Sequence, residues 1–145
     1  MVAAVVRRGA VVRLTMFVIL PALAASGGCS EKRLEVFPVS GKVVYQGKPP
    51  VGATVVLHPV SNQIDQFAPT GTVKDDGSFA ITSYDENDGA PQGEYVATIE
   101  WYRYDKTIGG VGSNVLPRKY ANWKTSPVKV NVGGSETQLQ PITIN

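Results

Sequence analysis

The chain has one cysteine and one histidine among 145 residues, and each scarcity closes off a class of chemistry. Cys29 alone cannot form an intramolecular disulfide. A single histidine, His58, leaves little for nucleophilic catalysis. A triad needs a nucleophile, a base and an orienting group within hydrogen-bond reach. Neither a G-x-S-x-G elbow nor an H-E-x-x-H helix is present to build one. His58 falls on the outward phase of its strand beside Pro59 and reads as a surface histidine. These readings give a non-enzymatic protein with no cofactor and no metal. Long apolar runs are also missing. The longest, residues 14–25, has twelve residues and contains Pro21, whereas a membrane-spanning helix needs about twenty. Charge of one sign is lacking as well. The formal net charge is +2, but Arg7, Arg8 and Arg13 lie in a leader-like segment. Without them, eleven Lys and Arg face twelve Asp and Glu from residue 29 onward, a formal −1. Scattered, nearly balanced charge carries no electrostatic footprint for nucleic acid.

Glycine and proline are plentiful, at fifteen and ten, which suits short strands and many turns. Residues 39–59 set the pattern. Val39, Gly41, Val43 and Tyr45 alternate with Ser40 and Lys42, and Ala53, Val55 and Leu57 alternate with Thr54 and Val56. That period of two predicts half-buried strands. Pro49 and Pro50 confine the connection between them to a turn or an edge. Residues 58–69 read as a loop and 70–74 as a strand. Asp76-Gly77 makes a two-residue hairpin turn, and residues 78–83 return with Phe79 and Ile81 inward. Residues 85–93 read as a polar loop. In 94–102, Tyr95, Ala97, Ile99 and Trp101 share one face, with Glu94, Thr98 and Glu100 towards water. Residues 103–113, bearing Gly109, Gly110 and Gly112, read as a long loop. Val128, Val130 and Val132 mark another strand. The opposite phases of Leu139 and Ile142/Ile144 predict a bulge near Pro141. Together these predict an all-β fold, a seven-stranded antiparallel Greek-key β-sandwich, with no helix after the leader.

Residues 1–28 have the parts of a secretory signal: arginines, a twelve-residue apolar run, then small residues 24–28. Cys29 directly after Gly27-Gly28 resembles the lipobox of bacterial lipoproteins, which implies that Cys29 is the lipidation site and the mature N-terminus. Ser26 stands where the family usually has an aliphatic residue three before the cysteine. The competing reading is cleavage after Ser26, leaving a free thiol. Residues 29–35 then form a short linker and 36–145 the domain. On the lipidated reading the protein is exported, tethered to a membrane of the bacterial cell envelope.

Three segments in order, V-S-G-K-V-V-Y-Q-G-K-P-P-V-G-A-T-V-V-L (39–57), T-V-K-D-D-G-S-F-A-I (72–81) and A-P-Q-G-E-Y-V-A-T-I (90–99), resemble the carboxypeptidase regulatory-like domains of the transthyretin-like (prealbumin-like) sandwiches. The resemblance covers most of residues 36–145. It implies a transthyretin-like topology and an accessory or adhesive role. The related hydroxyisourate hydrolases combine two histidines, an arginine and a C-terminal Y-R-G-S. This chain ends P-I-T-I-N with one histidine, so that activity is not implied. Adhesin sandwiches sharing the A-P-Q-G-E-Y element form a Lys–Asn isopeptide bond promoted by a Glu three residues before the Ala-Pro. Here that position is Asn87, and Lys42 is outward, so no crosslink is expected.

Two further groups are candidates for binding. Residues 85–89 (D-E-N-D-G) space oxygen ligands as a calcium loop does, but position twelve, the bidentate Glu of a full loop, is Val96. The segment reads as a solvated acidic turn. Trp101, Tyr102, Tyr104, Tyr120 and Trp123 bracket the glycine-bearing stretch. Aromatics stack on sugars or anchor protein partners, and they equally fill cores and cover sandwich edges. Trp101, Tyr102, Tyr104 and Trp123 are therefore the candidate ligand-binding residues. The expected function is an envelope structural or binding module whose partner is an envelope protein or polysaccharide. The alternative is a carbohydrate-binding module using the aromatics of 101–123.

Overall fold

Side chains of alternating polarity force the folded body into sheets that share one apolar interior. In the computed structural model, residues 33–61 and 68–145 are described, and they lie in the unit Arg33–Asn145. The leader, Cys29 and the first part of the linker fall outside the described residues, as do loop residues 62–67. In chain order the strands are β1 (Val36–Phe37), β2 (Val39–Tyr45), β3 (Thr54–Pro59), β4 (Thr70–Thr72), β5 (Ser78–Ala80), β6 (Ala90–Pro91), β7 (Gly93–Glu100), β8 (Tyr102–Asp105) and β9 (Gly110–Asn114). A helical turn, α1 (Arg118–Ala121), follows, then β10 (Lys129–Val132), β11 (Thr137–Gln138) and β12 (Ile142–Ile144). The fold is all-β apart from that turn. Among the described residues twelve short strands stand where seven were expected: β1 and β6 add a short pair, β8 and β9 form in the stretch read as a loop, and β11 precedes β12 across Pro141.

Two main sheets result. The first has the order β10-β7-β3-β4, antiparallel throughout. In the second, β2 pairs with β5 antiparallel on one edge and with β11 and β12 in parallel on the other. The expectation of a purely antiparallel arrangement is corrected here. After β10 the chain does not fold back beside its neighbour. It crosses to the other sheet and enters beside the start of β2, where Thr137 N–H donates to Pro38 O (2.8 Å), so it must run in the same direction as β2. The predicted bulge is present. Gln138 faces Ser40 and Ile142 faces Val43, so four steps on one strand match three on the other.

Inward residues of both sheets, among them Val39, Val43, Val55, Leu57, Phe79, Tyr95, Ile99, Val132 and Ile144, form one core. Burial of each such side chain stabilises by about 1.5–3 kcal/mol. Gly41 faces the Phe79 ring, and a Cβ there would lie 2.7 Å from it. Tyr95 spans the interior, and its hydroxyl donates to Pro91 O (2.7 Å). Burial, with Tyr84 nearby, pushes its pKa up to about 12.

The β4–β5 hairpin bridges the two sheets. Gly77 N–H donates to Lys74 O (2.9 Å) and Lys74 N–H to Ser78 O (2.8 Å), and Gly77 has φ +84°. This is a three-residue loop with a left-handed glycine, not the two-residue turn expected. The Asp76 carboxylate makes the difference by accepting from Ser78 N–H (2.9 Å) and Ser78 Oγ (2.6 Å), which extends the loop by one residue.

Candidate functional site

At the end of β7 the chain leaves the first sheet and builds a two-stranded hairpin, β8–β9. The sequence reading made 103–113 a loop, and the structure corrects this. Tyr-Arg-Tyr-Asp has a strand's alternation, but the facing G-V-G-S-N run has too few side chains to show a period. Asn114 fixes the base. Its Oδ1 accepts from Trp101 N–H (2.9 Å) and Leu116 N–H (3.1 Å), while Val115 N–H donates to Trp101 O (2.9 Å). At the tip, the Asp105 carboxylate accepts from Thr107 N–H (2.8 Å). That bond, followed by one from the Thr107 hydroxyl, holds the Asp105 carboxyl below its usual range.

The two faces of the hairpin differ. Tyr104 is registered with Val111 on one face, and Tyr102, two residues earlier, with Asn114 across a register shift. On the other face, a Cβ at Gly112 would lie 3.2 Å from Arg103 O and 3.3 Å from Asp105 Cβ. Arg103 lies over the Trp101 ring, its guanidinium carbon 5.4 Å from the centroid. Tyr102 is 50%, Tyr104 69% and Val111 70% exposed, with Ile108 at the tip 67% exposed. Four large side chains with apolar surface are thus left in water on one small element. Tyr102 donates to Glu100 Oε1 (3.3 Å), and the Glu100 charge, then desolvation, raise its phenol pKa.

The predicted aromatics therefore divide. Tyr102 and Tyr104 are the exposed platform. Trp101 is half-buried and structural: its Nε1–H donates to Val51 O (2.8 Å), and its ring meets Tyr45 edge-on, centroids 6.3 Å apart. Tyr120, on α1, belongs to the core. Trp123 is 52% exposed in the turn after α1, with the Lys124 ammonium 5.5 Å from its ring. Residues 115–126 are fastened to the same half of β7 as the hairpin, at Trp101 by Val115 and at Ala97 by Ser126 Oγ (2.5 Å). Sequence reasoning missed the company these aromatics keep. Residues 100–124 carry Arg103, Lys106, Arg118, Lys119 and Lys124 against Glu100 and Asp105, within a body of nearly balanced charge. A charge count in windows along the chain would have found it.

The other candidates resolve into structure. In the acidic loop, partial burial works to raise the Asp88 pKa. Backbone N–H bonds from Ser83 (2.7 Å), Asp85 (2.9 Å) and Tyr84 (3.0 Å) outweigh it and lower the pKa. The carboxylate thus organises its own turn. No group of three or more His, Cys, Asp or Glu side chains positioned for a metal occurs among the described residues. His58 Nε2 lies 2.9 Å from Thr98 Oγ1, and desolvation lowers its pKa against the opposing Glu100 charge. Thr98, expected in water, is 4% exposed. It does face outward from β7, but the neighbouring His58 on β3 engages it. Lys42 and Asn87 are both exposed. An open groove of about 510 Å³ runs between β2, β5 and residues 138–141. Its polar lining is Ser40, Lys42, Lys74, Ser78, Gln138 and Gln140. It contains no carboxylate, imidazole or thiol, and so has no acid–base pair.

No family model and no curated protein matches the chain. Among solved structures it is similar to a DUF3823 family protein from Parabacteroides merdae, at 17% identity and TM-score 0.46, over 78% of this chain and 47% of that one. A DUF3823 family protein from Bacteroides ovatus is similar at 13% identity and TM-score 0.43, over 74% and 44%. A 9R-lipoxygenase from Cyanothece is similar at 12% identity and TM-score 0.39, over 76% and 16%. The chain spans less than half the length of each of these proteins.

Proposed function

We propose that this protein is a non-enzymatic binding module of the bacterial cell envelope, tethered through a lipid on Cys29 and carried on a transthyretin-like, Greek-key sandwich of the carboxypeptidase regulatory-like kind. The observation that carries this reading is the separation between the chain's entry and its exposed aromatic hairpin. The chain enters at Arg33, which pairs with Asp85 (3.2 Å), and Leu34 N–H donates to Tyr84 Oη (3.0 Å). β1 then pairs with β6, just before β7 begins. The hairpin departs from the opposite end of β7, next to Tyr45 at the opposite end of β2. Seven strand residues at about 3.3 Å each separate the two ends by about 20 Å. Three residues, four steps of chain, link Cys29 to Arg33 and reach at most about 14 Å. A lipid at Cys29 would hold the entry end at the membrane and present the hairpin away from it. The tether is tested by fractionation and fatty-acid labelling. Cys29→Ser should move the protein to the soluble fraction and abolish labelling, since buried acyl CH₂ groups contribute about 0.8 kcal/mol each. Unchanged membrane partitioning would sink the tether.

A second reading, a carbohydrate-binding module, draws on Tyr102 and Tyr104, two exposed phenol rings on β8. It is compatible with the first.

A further inference from the structure

Resting on the reading of the hairpin end as a binding surface, we propose that its ligand is an acidic polysaccharide, a glycan chain bearing uronate or comparable anionic groups. Two properties coincide there. Tyr102 and Tyr104, two residues apart on β8 with a register shift between them, both expose their phenol rings, and flat aromatic surfaces stack on sugar rings. The segment that contains them is where the chain concentrates its cations. Residues 100–124 carry five Lys and Arg against Glu100, which accepts from the Tyr102 hydroxyl (3.3 Å), and Asp105, and Lys48 adds another cation beside Tyr45. At the entry end Arg33 is paired with Asp85. A locally cationic segment attracts an anionic chain.

A neutral glycan would use the tyrosines and leave the cations without a role. An anionic protein would use the cations, but an exposed hairpin with two tyrosines and few hydrogen-bonding partners suits the repeating apolar faces of sugars better. The cations on this surface are available. Lys106 is exposed at the hairpin tip, and Lys124 is exposed beside Trp123. Arg103 is committed to Trp101 and sets the hairpin's posture.

Native affinity electrophoresis of the full-length protein in detergent micelles tests this. Gels carry alginate (a polyuronate), dextran (neutral) or dextran sulfate (charge on a different backbone). Alginate should retard the protein, dextran should not, and retardation should weaken as salt rises. Tyr102→Ala with Tyr104→Ala should weaken alginate binding at least about tenfold at an unchanged melting temperature. Lys106→Glu with Lys124→Glu should weaken it by a similar factor. Equal retardation by dextran and alginate overturns the anionic class. Alginate binding that survives loss of both tyrosines, matched by equal binding to dextran sulfate, reduces the effect to ion exchange and overturns the site. Tyrosine-dependent capture by phosphatidylglycerol vesicles without alginate binding assigns the patch to a membrane and overturns it too. The gels run in micelles, so the outcome is independent of the tether. Failure here with normal Cys29→Ser fractionation removes the ligand and leaves the tether standing.

Discussion

Gly77 stands where both backbone and space exclude a side chain. Its φ is +84°, and a Cβ would lie 2.9 Å from Val43 O and 3.3 Å from Pro49 Cβ. The left-handed conformation alone disfavours a Cβ by about 1–2 kcal/mol, and the contact with a backbone oxygen adds to that. Gly77 O also accepts from Val43 N–H (2.9 Å), so displacing the turn disturbs β2. Thermal unfolding of Gly77→Val should show a fall of several degrees, against little change for Ser78→Thr; equal melting would mean the turn tolerates a side chain. Asp76-Gly77 was legible in the sequence as a turn. Its length was not, since that depends on where the Asp76 carboxylate reaches. Asp88 supplies a pH-dependent counterpart. Its folded pKa lies below the ordinary value of 3.8. Its stabilisation is therefore complete above that value, declines as pH falls through it, and is gone below the folded pKa. Asp88→Asn removes acceptors for two backbone N–H groups, at a cost of about 1–3 kcal/mol at neutral pH. The difference in melting temperature from the parent should hold at neutral pH and shrink as pH falls below about 4. A difference that stays constant with pH would mean the charge contributes nothing.

At the scale of elements, β7 was legible because Tyr95, Ala97 and Ile99 alternate strictly, and all three are buried. The hairpin after it was not. Two of the five residues of its second strand are Gly110 and Gly112, which have no side chain to mark an inward or outward phase. Its attachment also depends on the tertiary partners Val51, Tyr45 and Asn114, fifty or more residues away in the first two cases. Asn114 is the one position holding both the first and the last residue of the departure, through Trp101 N–H and Leu116 N–H. Asn114→Ala should leave both donors unmatched and cost about 1–2 kcal/mol. Because the hairpin has only two strands, it cannot compensate alone. Amide exchange across 102–114 should accelerate while β3 stays protected. Uniform acceleration across β3 as well would mean the hairpin and the sheet open as one unit.

For the whole molecule, the period-two pattern fixed which residues face inward, but which strand each element pairs with was beyond its reach. Val130 and Val132 on β10 are buried, as are Ile142 and Ile144 on β12, yet the former belong to the β7 edge and the latter lie parallel to β2 on the other sheet. Alternation is the same in either direction, so a sequence reading has no signal for parallel against antiparallel pairing once the connecting residues are polar and short. The crossing matters for cooperativity. Residues 133–136 carry the chain from one sheet to the other, as the β4–β5 hairpin does elsewhere. The core is continuous between the sheets, so removing volume from the last strand should destabilise both. Ile144 is fully buried, is registered with Tyr45, and its carbonyl accepts from Gln46 N–H (3.3 Å). Ile144→Ala keeps that backbone bond and deletes only side-chain volume, at an expected cost of about 2–5 kcal/mol. Thr143→Ala, one residue away on the exposed face, should stay within about 0.5 kcal/mol. Denaturant unfolding followed separately by tryptophan fluorescence, which reports on Trp101 beside Tyr45, and by far-ultraviolet circular dichroism should give one coincident transition for Ile144→Ala, shifted to lower denaturant with an unchanged slope. Two separated transitions would show that β12 melts away from a first sheet that remains folded, and that the two sheets do not form a single cooperative unit.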